Sequence, residues 1–231
     1  MIKVKDLKKY FYEGEVETKV LKGLDLHVEK GEFVAIMGRS GAGKSTFLYQ
    51  VSLLDDPTSG EIVIDNVDTH NFTEEQKIDF RLRELGYVFQ DYALLPDLTA
   101  LENVALPLLM QGKTKAAAYK KAEEALIKMG LEKRINAVPA HLSGGEQQRV
   151  SVSRAIVHKP KILFADEPTA NLDNESSRRV MKIFQELHAQ GQTIVMVTHE
   201  EEYGRMAQRI VRLDDGLITK IEKIEKIEIN S

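Results

Sequence analysis

The stretch "GRSGAGKST" (Gly38 to Thr46), directly after the apolar run "FVAIM" (Phe33 to Met37), constrains this chain more than any other. "GRSGAGKS" satisfies the pattern G-x-x-x-x-G-K-[ST] in full, with a strand-like run before it and the helical "STFLYQVSLL" after it. Small residues let successive backbone N–H groups turn inward around a phosphate. Positive φ at Gly41 or Gly43 costs little, and the helix that follows presents an N-terminus that favours anions. Lys44 can then reach the β- and γ-phosphates of a nucleotide, and the Ser45 hydroxyl can hold Mg²⁺. The candidate nucleotide-binding residues are Gly38, Arg39, Ser40, Gly41, Ala42, Gly43, Lys44, Ser45 and Thr46; Arg39 and Ala42 fill free positions of the pattern. A glycine-rich turn with a chance lysine would require neither the strand nor the helix.

The rest of the chain supplies a sheet for this loop. "LDLHV" (Leu24 to Val28) alternates as a half-buried strand does, and "EIVID" (Glu61 to Asp65) and "GYVFQ" (Gly86 to Gln90) read as further strands. From Leu101 to Val157 the patterns turn helical. "TALE" (Thr99 to Glu102) is a candidate capping box, and "TKAAAYKKAEEALIKMG" stops at Gly130, a plausible C′ glycine. Buried strands return in "KILFAD" (Lys161 to Asp166) and "TIVMVTH" (Thr193 to His199), with the helical "NESSRRVMKIFQELHAQG" between them. Strand, helix, strand at this spacing predicts a largely parallel sheet. "VRLDDGLI" reads as a hairpin around Asp214 to Gly216, and "KIEKIEKIEIN" as a low-complexity tail, a solvated helix or frayed end. The fold expected is α/β: residues 1–90 and 160–231 form the core, with an N-terminal antiparallel β part. A helical subdomain, 91–159, is inserted between the two core segments, and the tail covers 219–231.

Two carboxylates close "ILFADE" (Ile162 to Glu167). In a parallel sheet the carboxyl end of a strand faces the ligand crevice. Asp166 is the candidate for Mg²⁺ through a water, and Glu167 the candidate for polarising the attacking water. Gln90 and His199 each end a strand with an uncharged hydrogen-bonding side chain. Alone, either reads as an ordinary strand-end polar residue; beside the loop and the two acids, both become site candidates. "LSGGEQQRV" (Leu142 to Val150) fits a second capping box, Ser143 with Glu146. A capping box does not need glycines, yet Gly144 and Gly145 strip side chains from the first turn of a positive helix end. One complete and one partial phosphate site suggest that two chains share each nucleotide.

Taken in order, "GRSGAGKS", Gln90, "LSGGE", "ILFADE", "ANLD" (Ala170 to Asp173) and His199 resemble the nucleotide-binding subunit of ATP-binding cassette (ABC) transporters over nearly the whole chain. The resemblance implies a RecA-like P-loop core, ATP and Mg²⁺ as ligands, and ATP hydrolysis. It implies a head-to-tail homodimer in which Ser143, Gly144 and Gly145 of one copy meet the γ-phosphate held by Lys44 of the other, with Glu146 also among the nucleotide-binding residues and Asp173 crossing the interface. It further implies Ser45, Gln90 and Asp166 at the metal, His199 at the γ-phosphate, and adenine stacked on an aromatic, Phe11 with Tyr10 and Tyr12 as close rivals. Near Gln90 the helical subdomain would form a groove for a short helix of a membrane permease. "LLPDLTALENVALPLL" and "ADEPTANLD" look like the branch that releases lipoproteins or exports macrolides and peptides.

Composition narrows the partners. The net charge of −4 offers no basic field for nucleic acid, and the absence of cysteine excludes disulfides and thiolate metal sites. "MIKVKDLKKYFYEGE" lacks an apolar signal core, and "VALPLLM" is too short to span a bilayer. Together with the resemblance, which implies a peripheral subunit on the cytoplasmic face of the cell membrane, the lack of a spanning segment implies that the permease is a separate chain. Soluble ABC proteins acting on DNA or ribosomes usually carry coiled coils, zinc cysteines or tandem cassettes. An ATPase that regulates a cell-wall or cell-division membrane complex is the alternative role.

Overall fold

The computed structural model describes residues 1–224. In chain order the elements are β1 (Ile2–Glu13), β2 (Val16–Val28), β3 (Phe33–Met37), α1 (Lys44–Val51), β4 (Ser59–Ile64), β5 (Val67–Asp68), α2 (Glu74–Glu84), β6 (Leu85–Val88), α3 (Ala100–Met110), α4 (Lys115–Lys128), α5 (Gly144–Ile156), β7 (Ile162–Asp166), α6 (Asn174–Ala189), β8 (Thr193–Val197), α7 (Glu201–Gly204), β9 (Arg209–Asp214) and β10 (Leu217–Lys223). The fold is α/β, as the alternation of patterns predicts. The chain forms two compact units. The first comprises Met1–Lys77 and the described residues from Leu187 onward; the second is Ile78–Glu186.

The first unit contains an antiparallel sheet ordered β2-β1-β4-β5 and a run of strands ordered β10-β9-β3-β8. Every residue of β3 and of β8 is buried, which explains why their sequences are continuous apolar runs. β3 lies parallel to β8 on one side (Phe33 opposite Ile194, Ile36 opposite Val197) and to β9 on the other (Ile36 opposite Val211). Parallel pairing brings the carboxyl ends of β3 and β8 to one edge. The loop at Gly38 and the side chain of His199 both leave from it.

The antiparallel hairpin is longer than the alternation of "LDLHV" indicates: β1 has 12 residues and β2 has 13. Its outer half is exposed on both faces, and bulges interrupt the register near Asp6, whose φ is 47°. Neither feature leaves a period of two in the sequence. The tail also differs from expectation. Its first residues continue strand β10, with Ile221 opposite Val211 and Lys223 opposite Arg209, instead of forming a helix or fraying. Glu222 is held there by Arg212. The rest of the tail lies outside the described residues.

In the second unit β6 and β7 pair in parallel, Leu85 opposite Ile162 and Val88 opposite Ala165. Helices α3, α4 and α5 enclose a core that includes Val104, Leu108, Ala118, Ala122, Leu126 and Val150. The capping box at Thr99 and Glu102 starts α3 as "TALE" predicts. Thr114 caps α4, and Gly130 at φ 68° follows its end.

Candidate nucleotide-binding site

In the first unit, the loop between β3 and α1 is fixed by close backbone approach. A Cβ at Gly38 would sit 2.1 Å from the Leu213 carbonyl oxygen, and one at Gly43 would meet Leu21 at 2.9 Å and the Val20 carbonyl at 3.0 Å. Gly43 has φ 95° and caps α1 with no side chain, so the first N–H groups of the helix have no capping side chain to receive them. The Ala42 N–H donates to the Arg39 carbonyl (3.2 Å), and Gly216 N–H donates to the Ala42 carbonyl (3.2 Å). Lys44 is 6% exposed, and its ammonium donates to the Arg39 carbonyl at 3.0 Å. A buried cation bonded to a neutral carbonyl of its own loop is suited to an incoming anion.

His199 follows β8 in the same unit, and its side chain is exposed. Thr198 donates its N–H to the Ile36 carbonyl at 3.2 Å, which ties the start of this turn to the strand that leads into the loop. On the hairpin, Phe11 is 45% exposed with the Lys9 ammonium 5.1 Å from its ring centroid. Tyr12 is more exposed, and its hydroxyl donates to Glu17. The Tyr10 ring is half-buried and carries Lys19 at 5.2 Å.

In the second unit, β7 delivers Asp166 to its carboxyl end, where the residue is 4% exposed. Glu167 follows in the left-handed region with φ 43°, which turns the chain sharply after the strand. Ser143 and Glu146 form the predicted capping box at the start of α5. Glu146 is partly desolvated, which favours its protonated form. Hydrogen bonds from Arg134 and from the Ser143 N–H outweigh this and hold the carboxyl below its ordinary range. Asp173 accepts from the Ser176 N–H (2.9 Å) and hydroxyl (2.8 Å), so it caps α6 and its carboxyl is held low by those two bonds. Gln90 is exposed in the turn after β6, and its carbonyl accepts from the Asn171 amide at 3.0 Å.

The two glycines of "LSGGE" have a steric reason that the sequence does not disclose. A Cβ at Gly144 would lie 2.9 Å from the Tyr92 hydroxyl, and one at Gly145 would lie 2.6 Å from the Ser176 hydroxyl. Sequence reasoning also passed over Arg154, whose guanidinium donates to the carbonyls of Tyr92 and Ala93. An arginine amid the small and apolar residues of "SVSRAI" is the only sign of it.

In the first unit the loop and His199 leave the sheet at the carboxyl ends of adjacent parallel strands. In the second, Asn171 contacts Gln90, Gly145 faces Ser176, and Ser176 is bonded to Asp173, while Asp166 and Glu167 stand at the end of β7. Among the described residues no cluster of three His, Cys, Asp or Glu side chains could hold a metal, and no helix is long and apolar enough to cross a membrane.

A buried strand, a glycine loop ending in lysine and serine, and a helix that starts on that loop define a P-loop nucleotide-binding protein. The chain belongs to the ABC transporter family, whose family model matches residues 21–170. It is 46% identical over 221 residues to the uncharacterized ABC transporter ATP-binding protein MJ1508 of Methanocaldococcus jannaschii, covering 96% of this chain and 99% of the relative. It is 46% identical over 200 residues to the lipoprotein-releasing system ATP-binding protein LolD of Aquifex aeolicus, covering 87% of this chain and 89% of the relative. It is 45% identical over 218 residues to the macrolide export ATP-binding/permease protein MacB of Mannheimia succiniciproducens; the match covers 94% of this chain but spans only 34% of that relative's length. Among solved structures, the ATP-binding cassette MJ0796, in a dimeric post-hydrolysis state bound to ADP and Pi, superposes with a TM-score of 0.92. That match has 40% identity and covers 97% of this chain and 99% of the other.

Proposed function

We propose that this chain is the ATP-hydrolysing subunit of an ABC transporter. It dimerises head to tail on ATP and drives a membrane permease of the lipoprotein-release, macrolide or peptide export type from the cytoplasmic face. One observation carries this reading. The chain holds a buried lysine on a phosphate loop and, separately, a capped helix whose first turn is glycine. The first is a whole phosphate site and the second a half site without a cation, so the second is completed by the nucleotide that another copy holds. The names of the LolD and MacB relatives support the transport branch.

The roles follow from chemistry. Lys44 and the N–H groups of the Gly38–Thr46 loop bind the phosphates, and the Phe11 ring stacks on adenine. Ser45, Gln90 and Asp166 offer a hydroxyl, an amide oxygen and a carboxylate, the hard oxygen donors that suit Mg²⁺. These residues would hold the ion, and it would supply neutralisation of phosphate charge. Glu167 accepts the proton of the attacking water, and His199 hydrogen-bonds the γ-phosphate and orients that water. Ser143, Gly144, Gly145 and Glu146 close on the partner copy's nucleotide, and Asp173 reaches across the interface. The functional division is a nucleotide core of residues 1–90 and 160–231 and a helical part, 91–159, that carries the glycine turn.

Glu167→Gln tests this reading, since amide and carboxylate are nearly the same size. The variant should bind Mg-ATP, hydrolyse at least a hundredfold more slowly, and form a dimer by light scattering with ATP but not with ADP. Adding Ser143→Arg should abolish the dimer and leave nucleotide binding intact. A Glu167→Gln protein that stays monomeric at saturating Mg-ATP would refute the shared site.

A further inference from the structure

We propose that Tyr92 and Arg154 are positioning residues that fasten the loop after Gln90 to both ends of helix α5, so that loop and glycine turn move as one piece. The proposal rests on the reading of that turn as the surface that closes on a partner's nucleotide.

The loop holds a conformation that little else would sustain. Tyr92 and Ala93 have φ of 64° and 47°, and the Ala93 N–H donates to the Asp91 carbonyl at 2.7 Å. A γ-turn with positive φ at a bulky residue is a rare and strained arrangement. Arg154, on the last turn of α5, holds it in place. One guanidinium N–H donates to the Ala93 carbonyl at 2.6 Å and another to the Tyr92 carbonyl at 2.9 Å. The planar fork of arginine matches two successive carbonyls, a geometry that lysine cannot reproduce.

The same loop residue reaches the other end of the helix through its ring. The Tyr92 hydroxyl donates to the Asn171 carbonyl at 3.3 Å and occupies the space that a side chain at Gly144 would need. Asn171 in turn donates its amide to the Gln90 carbonyl at 3.0 Å. Tyr92 is therefore held to the end of α5 by its carbonyl and placed at the start of α5 by its hydroxyl. A shift of the Tyr92 ring toward α5 would press its hydroxyl against Gly144, and a shift of its backbone would pull on Arg154.

The test uses the full chain carrying Glu167→Gln as parent. Tyr92→Phe keeps the ring and removes one hydrogen bond. It should weaken ATP-dependent dimerisation about threefold to tenfold, lower the melting temperature by no more than a few degrees, and leave the affinity of the monomer for labelled ATP unchanged. Arg154→Lys, which keeps the charge and loses the fork, should weaken dimerisation by about tenfold or more. A double-mutant cycle of Tyr92→Phe with Gly144→Ala should be non-additive, because the alanine costs less once the hydroxyl is gone. Loss of a contact between Gly144 and the partner's nucleotide cancels in that cycle. If both variants dimerise like the parent, or the cycle is additive, the proposal is overturned while the shared site stands. If the parent does not dimerise with Mg-ATP, the shared site falls and this proposal falls with it.

Discussion

His158 shows how one half-buried side chain makes the fold sensitive to acid. Its Nε2 lies 3.0 Å from the Leu85 carbonyl, and since a carbonyl only accepts, Nε2 carries the hydrogen. Nδ1 is buried without a hydrogen-bond partner among the described residues. Burial pushes the imidazole pKa below 6.5, outweighing the Leu85 hydrogen bond and the nearby Glu84 charge, which act upward. Above this range both folded and unfolded states hold a neutral ring, and His158 adds no pH dependence. As the pH falls through about 6.5 the unfolded chain takes up the proton first, so stability declines. Urea unfolding at pH 7 and pH 5 should show a larger loss for the parent than for His158→Gln, whose amide can still donate to Leu85. Equal losses would show that another group sets the slope. At this scale the sequence was most legible where chemistry is contiguous. Lys44, Asp166 and the Ser143–Glu146 box sit in short runs whose spacing is their mechanism. The contacts of Tyr92 with Asn171 and of Gly145 with Ser176 join positions far apart in the chain, and no local pattern encodes them.

Helix α3 is an element whose start was readable and whose stability can be measured. Thr99 accepts from the Glu102 N–H, while the Glu102 carboxylate accepts from the Thr99 N–H at 2.9 Å and hydroxyl at 2.8 Å. Thr99→Ala removes the cap and should cost about 1 kcal/mol, seen as a lower urea midpoint at unchanged m-value. A midpoint identical to the parent would mean that the core around Val104 and Leu108 alone fixes the helix. Helix α2 starts on the same kind of reciprocal cap, Thr73 with Gln76 (2.8 and 3.3 Å), but the rest of it was not legible. Its buried residue is Lys77, whose ammonium lies 2.6 Å from Asp56 and 2.6 Å from Glu74. A helix held by ion pairs presents no apolar stripe, so periodicity passes over it. Strands β3, β7 and β8 lie at the other extreme. Complete burial makes their apolar runs unmistakable, though a run alone does not say which strands are neighbours.

For the molecule as a whole, the alternation of strand and helix predicted an α/β fold, and the ordered motifs predicted the family. The division into two compact units came from the structure, because the sequence between Lys77 and Ile78 carries no linker composition. The proposed docking of a membrane subunit near the loop after Gln90 can be tested on a chain without native thiols. Leu95 is 44% exposed, and Leu95→Cys should crosslink to the membrane subunit of the assembled transporter. A cysteine in place of exposed Val16, on the hairpin, serves as the control. Crosslinking at Val16 alone would move the docking site elsewhere. The path of the chain has a consequence for biosynthesis. Phe33 pairs with Ile194 and Val34 with Arg209, so β3 has neither neighbour until about 160 further residues are made. At about 5–20 residues per second a ribosome needs roughly ten to thirty seconds for that. During this interval the contiguous unit Ile78–Glu186 can fold first, while a wholly apolar strand waits with both edges bare. The nascent chain is then most vulnerable to sticking to its neighbours, and Phe33–Met37 needs shelter until Thr193–Val197 and Arg209–Asp214 arrive.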